Sequence, residues 1–384
     1  MQVYLDNSAT TKPSEYVIDA MSQSMREGYH NPSALYSSAM YAERDMVEAC
    51  REIAKSLHAN EKNVIFTSGG TESNNLAIMG HMQSHHEKGE ILYSAAEHPA
   101  VKNTCMEAEK RFGCAAKEIP LLPNGSIDLD AFEAMLSPIV QMICVMQVSN
   151  ETGVIMPIDE VCKLRDRLAP KAAIHVDGVQ GYAREPFSMK QLSVQSYALS
   201  GHKINGPKGV GALVFQNGLR IVPQLFGGGQ QGNIRSGTEN TTGIAGLRAA
   251  VMHYPKDGAA HMRSLKVKLH ELLTAALAET TVIGLPVDDK NSAGHILSVA
   301  FPPVRAETLL HALEGDGICV GTGSACSSKK GKRSVVLTAM KQSPEVMDSA
   351  IRISFCPSNT QEEMIYTADQ IIKHVQMLRK FKRR

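Results

Sequence analysis

Five polar clusters interrupt residues 68–203, each directly after a short apolar run. They are Ser68-Gly69-Gly70-Thr71, Glu97-His98-Pro99, Asn150-Glu151-Thr152-Gly153, Asp177 with Gln180, and Ser200-Gly201-His202-Lys203. Their side chains are suited to different tasks. A lysine amine condenses with an aldehyde, an ionised aspartate pairs with a ring nitrogen, and a glycine-rich turn opening a helix offers free N–H groups to a phosphate. Taken singly, each cluster has a plainer alternative. Gly69-Gly70-Thr71 reads equally as an ordinary turn, His98 as a surface or core histidine, Asp177 as a helix cap and Lys203 as a solvated loop side chain.

Taken together, the residue types match one cofactor, pyridoxal 5'-phosphate. Lys203 would form the Schiff base, and Asp177 would keep the pyridine nitrogen protonated. Thr71, Ser200 and His202, with the backbone of Gly70 and Thr71, would receive the phosphate. A lysine held near cations and partly desolvated has a lowered pKa and a free amine.

Such residues act together only if the fold brings them to one rim. The apolar runs at 63–67, 91–94, 141–148, 172–176, 195–199 and 209–215 read as strands, and 41–58 and 129–136 between them as amphipathic helices. This alternation predicts an α/β unit with a mostly parallel sheet, whose chemistry collects beyond the carboxyl ends of the strands. Helical stretches at 244–253 and 262–279 lead to shorter segments at 296–301, 306–314, 346–353 and 362–381, read as a smaller α+β C-terminal domain. The expected division is a large domain of 13–255, with 1–12 joining 256–384 in the small one.

With 384 residues, 43% hydrophobic and 21% charged, the chain is long and apolar enough to bury a large core. The net charge of +1 argues against a chain built as a whole to coat nucleic acid or an anionic membrane. No run of about 18 apolar residues is present, and the N-terminus lacks the charged and apolar regions of a secretory signal, so a cytoplasmic location without membrane association is expected. The eight cysteines show no paired metal-ligand spacing, and all but Cys326 are expected to be buried thiols. Cys326 lies in Gly321-Thr-Gly-Ser-Ala-Cys-Ser-Ser-Lys-Lys-Gly-Lys-Arg333, a composition that suits a loop. Lys329, Lys330, Lys332 and Arg333 there could favour a thiolate or simply be solvated.

At these residues the sequence closely resembles the cysteine desulfurases of the NifS/IscS type, in the class V aminotransferase superfamily with the pyridoxal phosphate fold type I. The resemblance runs nearly end to end. It includes Tyr4-Leu-Asp-Asn-Ser-Ala-Thr-Thr11, Phe66-Thr-Ser-Gly-Gly-Thr-Glu-Ser-Asn-Asn75, Glu97-His-Pro99, Ser149-Asn-Glu-Thr-Gly153 and His175-Val-Asp-Gly-Val-Gln180. Further on come Ser200-Gly-His-Lys203, Gly206-Pro-Lys-Gly-Val-Gly211, Arg235-Ser-Gly-Thr-Glu-Asn240, Gly323-Ser-Ala-Cys326 and Ile351-Arg-Ile-Ser354.

The resemblance implies that L-cysteine is desulfurated to L-alanine, leaving a persulfide on Cys326 for a sulfur acceptor, either an iron–sulfur scaffold or a tRNA thiolation enzyme. It implies that Lys203 carries the cofactor, His98 stacks on the ring and moves protons, Asp177 meets the ring nitrogen and Gln180 the phenolic oxygen. Asn150 and Arg352 would bind the substrate carboxylate, and Thr238 would reach the phosphate from the neighbouring subunit of a homodimer. No metal and no direct nucleic-acid binding are expected.

Three segments depart from the family pattern. Gly227-Gly-Gly-Gln-Gln-Gly-Asn-Ile234 lacks a usual carboxylate, Gly331-Lys-Arg-Ser-Val-Val-Leu337 is unusually basic, and Phe355-Cys356 replaces a common Leu-Gly. The basic loop and the five cations of 379–384 could dock an acceptor that works on tRNA, or lie in solvent as favourable charges at a helix C-terminus. Two other functions stay in view. One is an aminotransferase or selenocysteine lyase with the same cofactor, and the other a non-catalytic metal or iron–sulfur carrier. The scattered cysteines and the isolated His85-His86 pair argue against the carrier.

Overall fold

The structure, a computed structural model, describes residues 1–85, 88–322 and 333–381. A two-residue strand, β1 (Val3–Tyr4), comes first. The main sheet follows with β2 (Val64–Thr67), β3 (Glu90–Ser94), β4 (Ala115–Ile119), β5 (Val140–Met146), β6 (Ala173–Asp177), β7 (Ser196–Ser200) and β8 (Gly211–Phe215). Their spatial order is β2-β8-β7-β6-β5-β3-β4. Strands β4, β3, β5, β6 and β7 pair in parallel, whereas β8 is antiparallel to both β2 and β7. The short run from β7 to β8 is possible because antiparallel neighbours need no crossover helix.

Both faces of this sheet are buried, which explains why its inner strands read as unbroken apolar runs. Leu92, Ile143 and Val145 face one core with Ile53, Leu57, Tyr197 and Leu247. Their neighbours Ile91, Tyr93, Met142 and Cys144 face the other side with Ile78, Met82 and Val101, the alternation that a pleat imposes.

Beyond residue 280 lie β9 (Thr281–Val282), β10 (Ile296–Ala300), β11 (Ile318–Cys319) and β12 (Ala350–Ser354). Strands β12, β10 and β9 form an antiparallel sheet, and β11 pairs in parallel with β1. Val3 and Leu5 share a core with Leu265, Leu269, Leu297 and Ile371. The helices Gly258–Ala276 and Gln361–Phe381 cover this core.

Several expectations need correction. Strands β6 and β7 extend one residue further than the apolar runs, so Asp177 and Ser200 end strands rather than follow them. The segment 346–353 is not one element, because a helical turn (Pro344–Ser349) precedes β12. Cys319 is exposed and Cys50 half-buried, whereas Cys105, Cys114, Cys144, Cys162 and Cys356 are buried. Arg333 pairs with Asp348 at 3.1 Å, so its charge already has a partner. Arg379 donates to the carbonyls of Ala278 and Pro302 and acts structurally. Lys329, Lys330, Lys332, His86 and 382–384 lie outside the described residues.

Candidate active site

The carboxyl ends of β2, β3, β5, β6 and β7 converge on a cleft of about 570 Å³. Gly70, Thr71, His98, Asn150, Asp177, Gln180, Ser200, His202, Lys203 and Arg352 all line it. Thr238 is exposed and does not line this chain's cleft, and Cys326 lies outside the described residues.

Asp177 ends β6 with both carboxylate oxygens engaged. Its Oδ1 accepts from the Val179 N–H at 3.0 Å, a local turn, while Oδ2 accepts from Asn74 Nδ2 at 2.7 Å. Asn74 Oδ1 must then accept, and it lies 2.9 Å from His175 Nε2. His175 Nδ1 meets Ser196 Oγ at 2.9 Å. Burial draws the pKa of His175 down to about 3, so the ring is neutral. A proton on Nε2 leaves Nδ1 to accept from Ser196, and one directed chain runs from Ser196 through His175 and Asn74 to Asp177. Asn74 arrives on the helix Gly70–Met82, which is why this polar residue is buried.

Lys203 ends the turn Gly201–Lys203 after β7. Its Nζ donates to the carbonyls of Ser8 at 2.5 Å and Ala9 at 2.8 Å. Desolvation, reinforced by Arg352 and Arg184, brings its pKa down to about 7. Gln180 Nε2 donates to the same Ser8 carbonyl at 2.9 Å. His202 Nδ1 lies 3.1 Å from Thr10 Oγ1, and desolvation with Lys203, Lys208 and Arg184 lowers its pKa to about 4.

His98 caps the helix Pro99–Phe112, its Nδ1 accepting from the Ala100 N–H at 3.1 Å. A neutral His98 therefore carries its proton on Nε2. The side chain opens to the cleft yet is hemmed in by surrounding atoms. That desolvation lowers its pKa, with Asp177 opposing and Lys203 reinforcing the shift. Next to it, full burial and then the Asp177 charge raise the Glu97 carboxyl well above its usual value, although its Oε1 accepts from the Met146 N–H at 2.6 Å. Arg352 on β12 is 4% exposed; it donates to the Asn150 carbonyl at 2.8 Å and to Asp6 Oδ1 at 2.7 Å.

Several of these groups lay inside the sequence motifs without an assigned role. Ser8, Asn74 and Glu97 are examples, and their contacts depend on tertiary approach. Arg184 carried no motif signal beyond its place four residues after Gln180.

The donor set fits pyridoxal phosphate. At Gly69, with φ of 149°, a Cβ would stand 3.6 Å from Ser200 Oγ, between the start of the Gly70–Met82 helix and the end of β7. A side chain at Gly70 would strike Val179 Cγ2 at 2.5 Å. Gly70 thus lets Val179 pack against the helix start, while Gly69 leaves that start open beside the Ser200 hydroxyl, where a phosphate fits. A buried acid, a lysine of lowered pKa and this cradle share one cleft, and with the fold they define a pyridoxal phosphate-dependent enzyme of fold type I.

The model of the Aminotransferase class-V family matches residues 3–366, and the chain belongs to that family. A cysteine desulfurase of Nostoc sp. is 33% identical over 387 aligned residues, covering 99% of this chain and 95% of that protein. Among solved structures, a NifS-like protein superposes with a TM-score of 0.91 at 32% identity, covering 98% of this chain and all of that one. A second, SspA in complex with cysteine, has a TM-score of 0.82 and 28% identity, and covers 94% of this chain and all of that one. The chain is a pyridoxal phosphate-dependent enzyme of the cysteine desulfurase type. Among the described residues no helix is long and apolar enough to cross a membrane.

Proposed function

We propose that this enzyme removes sulfur from L-cysteine, releasing L-alanine and leaving a persulfide on Cys326. The observation that carries the reading is the convergence of the Lys203 amine, the Asp177 carboxylate and the Arg352 guanidinium on one cleft. Thr71, Ser200, His202 and the Gly70 and Thr71 backbone would hold the cofactor phosphate, Asp177 the ring nitrogen, and Gln180 the phenolic oxygen. His98 would stack on the ring, and Thr238 would reach the phosphate from the second subunit of a homodimer. When bound, the cofactor supplies an electron-poor ring that stabilises negative charge at the substrate α-carbon.

The protein's own groups divide the remaining work. Arg352, steadied by Asp6 and the Asn150 carbonyl, binds the substrate carboxylate together with the Asn150 side chain. Lys203 is partly neutral near pH 7 and takes the α-proton. Cys326 thiolate attacks the substrate sulfur; an S–S bond forms as the C–S bond breaks, so cysteine plus thiol become alanine plus persulfide. His98, with its proton on Nε2, supplies a proton to the departing carbon skeleton. Persulfide sulfur then passes to an acceptor, an iron–sulfur scaffold or a tRNA thiolation enzyme. The basic residues Lys329, Lys330, Lys332, Lys380, Lys382, Arg383 and Arg384 favour the latter. In the same reading 13–255 form the cofactor-binding body, and 1–12 join 256–384 in a smaller one, as the pairing of β1 with β11 supports.

Incubation with L-cysteine and a thiol reductant should yield alanine and sulfide in equal amounts. Alanine without sulfide would sink the proposal, as would transamination to a keto acid.

A further inference from the structure

Four groups around the cleft close into a ring of hydrogen bonds. Arg184 Nη1 donates to Gln180 Oε1 at 3.0 Å, and Gln180 Nε2 donates to the Ser8 carbonyl at 2.9 Å. The Lys203 ammonium donates to that same carbonyl at 2.5 Å, and the Lys203 main-chain oxygen accepts from Arg184 Nη2. Arg184 is 3% exposed, and the acceptors of both its amino groups here are neutral oxygens. Ala183 helps to place it there. It sits at φ of 61°, a left-handed conformation that side chains resist, and turns the chain so that Arg184 returns beneath Gln180.

We propose that Arg184 is a positioning residue for the reaction: gripping the Gln180 amide oxygen and the Lys203 carbonyl at once, it fixes which face of that amide meets the cleft and holds the lysine amine in register. The physical reason lies in the donor inventory. A guanidinium has five donors and no acceptor, so only the amide oxygen can face it, and Nε2 is turned toward Ser8 and the cleft. The planar fork serves two oxygens in fixed geometry, which one lysine ammonium in its place would not reproduce, although it would keep the positive charge. The buried charge also stands close enough to Lys203 to disfavour its protonated form. Arg352 acts in the same direction, and Asp6 from the N-terminal segment and Asp177 from β6 act against it. His98 and His202 also face the amine.

The role of Gln180 toward the cofactor rests on the function proposed above, whereas the effect on Lys203 does not, and the test separates them. In the first arm the full-length chain without cofactor is treated with trace acetic anhydride across pH 5–10, and Lys203 acetylation is read by mass spectrometry. Arg184→Met should raise the midpoint by about one unit, roughly a tenfold loss of labelling near pH 7. Arg184→Lys should return it to within a few tenths of a unit of wild type. Arg184→Gln replaces the methionine variant if that fails to fold. An unchanged midpoint in a folded neutral variant overturns the proposal, as does failure of Arg184→Lys to restore it.

In the second arm the loaded enzymes are titrated by visible absorbance. Arg184→Met should shift the spectroscopic midpoint further in the wild-type background than in a Gln180→Ala background, where only the direct effect of the charge remains. Full additivity overturns action through Gln180. An enzyme that takes up no pyridoxal phosphate would instead overturn the functional reading and leave the labelling result standing.

Discussion

Replacing Asn74 by leucine tests whether the chain of hydrogen bonds behind Asp177 has the direction derived above. The substitution keeps the branched four-atom outline of the side chain and improves helix propensity, but removes two contacts. The donor to the Asp177 carboxylate is charge-assisted, and its loss costs about 2 kcal/mol. His175 Nε2–H is then stranded in a ring that is 0% exposed, which adds about 2 kcal/mol. The expected loss is about 4 kcal/mol, read from urea unfolding of the cofactor-free chain at pH 7.5 so that ligand linkage does not enter. Asn74→Leu combined with His175→Phe removes the stranded donor with it, and should be about 1–2 kcal/mol more stable than the sum of the single changes. A single-variant loss below about 1 kcal/mol, or strict additivity in the cycle, would refute the directed chain.

Other outcomes follow from the same geometry. Cys326→Ala should bind cysteine and keep the colour of the loaded enzyme yet fail to turn over with a reductant; sustained sulfide release would remove Cys326 from the mechanism. The pKa values of His175, His202, His98 and His295 are all lowered by burial, so the native state binds fewer protons than the unfolded chain. Stability is therefore fully present above about pH 6.5 and is lost as pH falls, His175 alone contributing about 3 kcal/mol by pH 4. Unfolding curves between pH 4 and 7 for wild type and His175→Gln check this, and parallel pH profiles would contradict it. Glu97 has the opposite sign: its raised pKa means that stability declines as pH climbs above about 4.5. Glu97→Gln should thus gain on wild type with rising pH, measured as the gap between their urea midpoints. Ala183→Gly should stabilise by about 0.5–1 kcal/mol by relieving the left-handed strain, and a lower melting temperature would argue otherwise.

The legible part of the molecule was its central sheet and the polar rim beyond it. Inner strands buried on both faces leave continuous apolar runs, and a polar residue straight after each run has few places to go but the rim. Lys203, Asp177 and Ser200 were readable for that reason. Strand β4, Ala-Ala-Lys-Glu-Ile, went unread because Lys117 and Glu118 are exposed at the sheet edge and break the run. Strands β1 and β11 are two residues each, too short for any periodicity, and pair across most of the chain. The contacts of Asn74 and Arg184 depend on where helices and turns meet in space, and those of Lys203 end on main-chain oxygens, which every residue type supplies. Cys319 looked like its buried fellows because composition says nothing about which side of a strand faces solvent.

The N-terminal segment is bound to partners made very late. The Ser8 N–H donates to Ser354 Oγ, 346 residues away, while the carbonyls of Ser8 and Ala9 cover the Lys203 amine. At roughly 5–20 residues per second, a nascent chain would leave the Ser8 N–H without that partner for about 20–70 s. The central sheet can assemble long before translation ends, and Thr11 can already bond to His202 and Asn205 there, whereas the cleft still lacks its wall from β12. Completion of the site thus waits for β12, which brings Arg352 to the cleft.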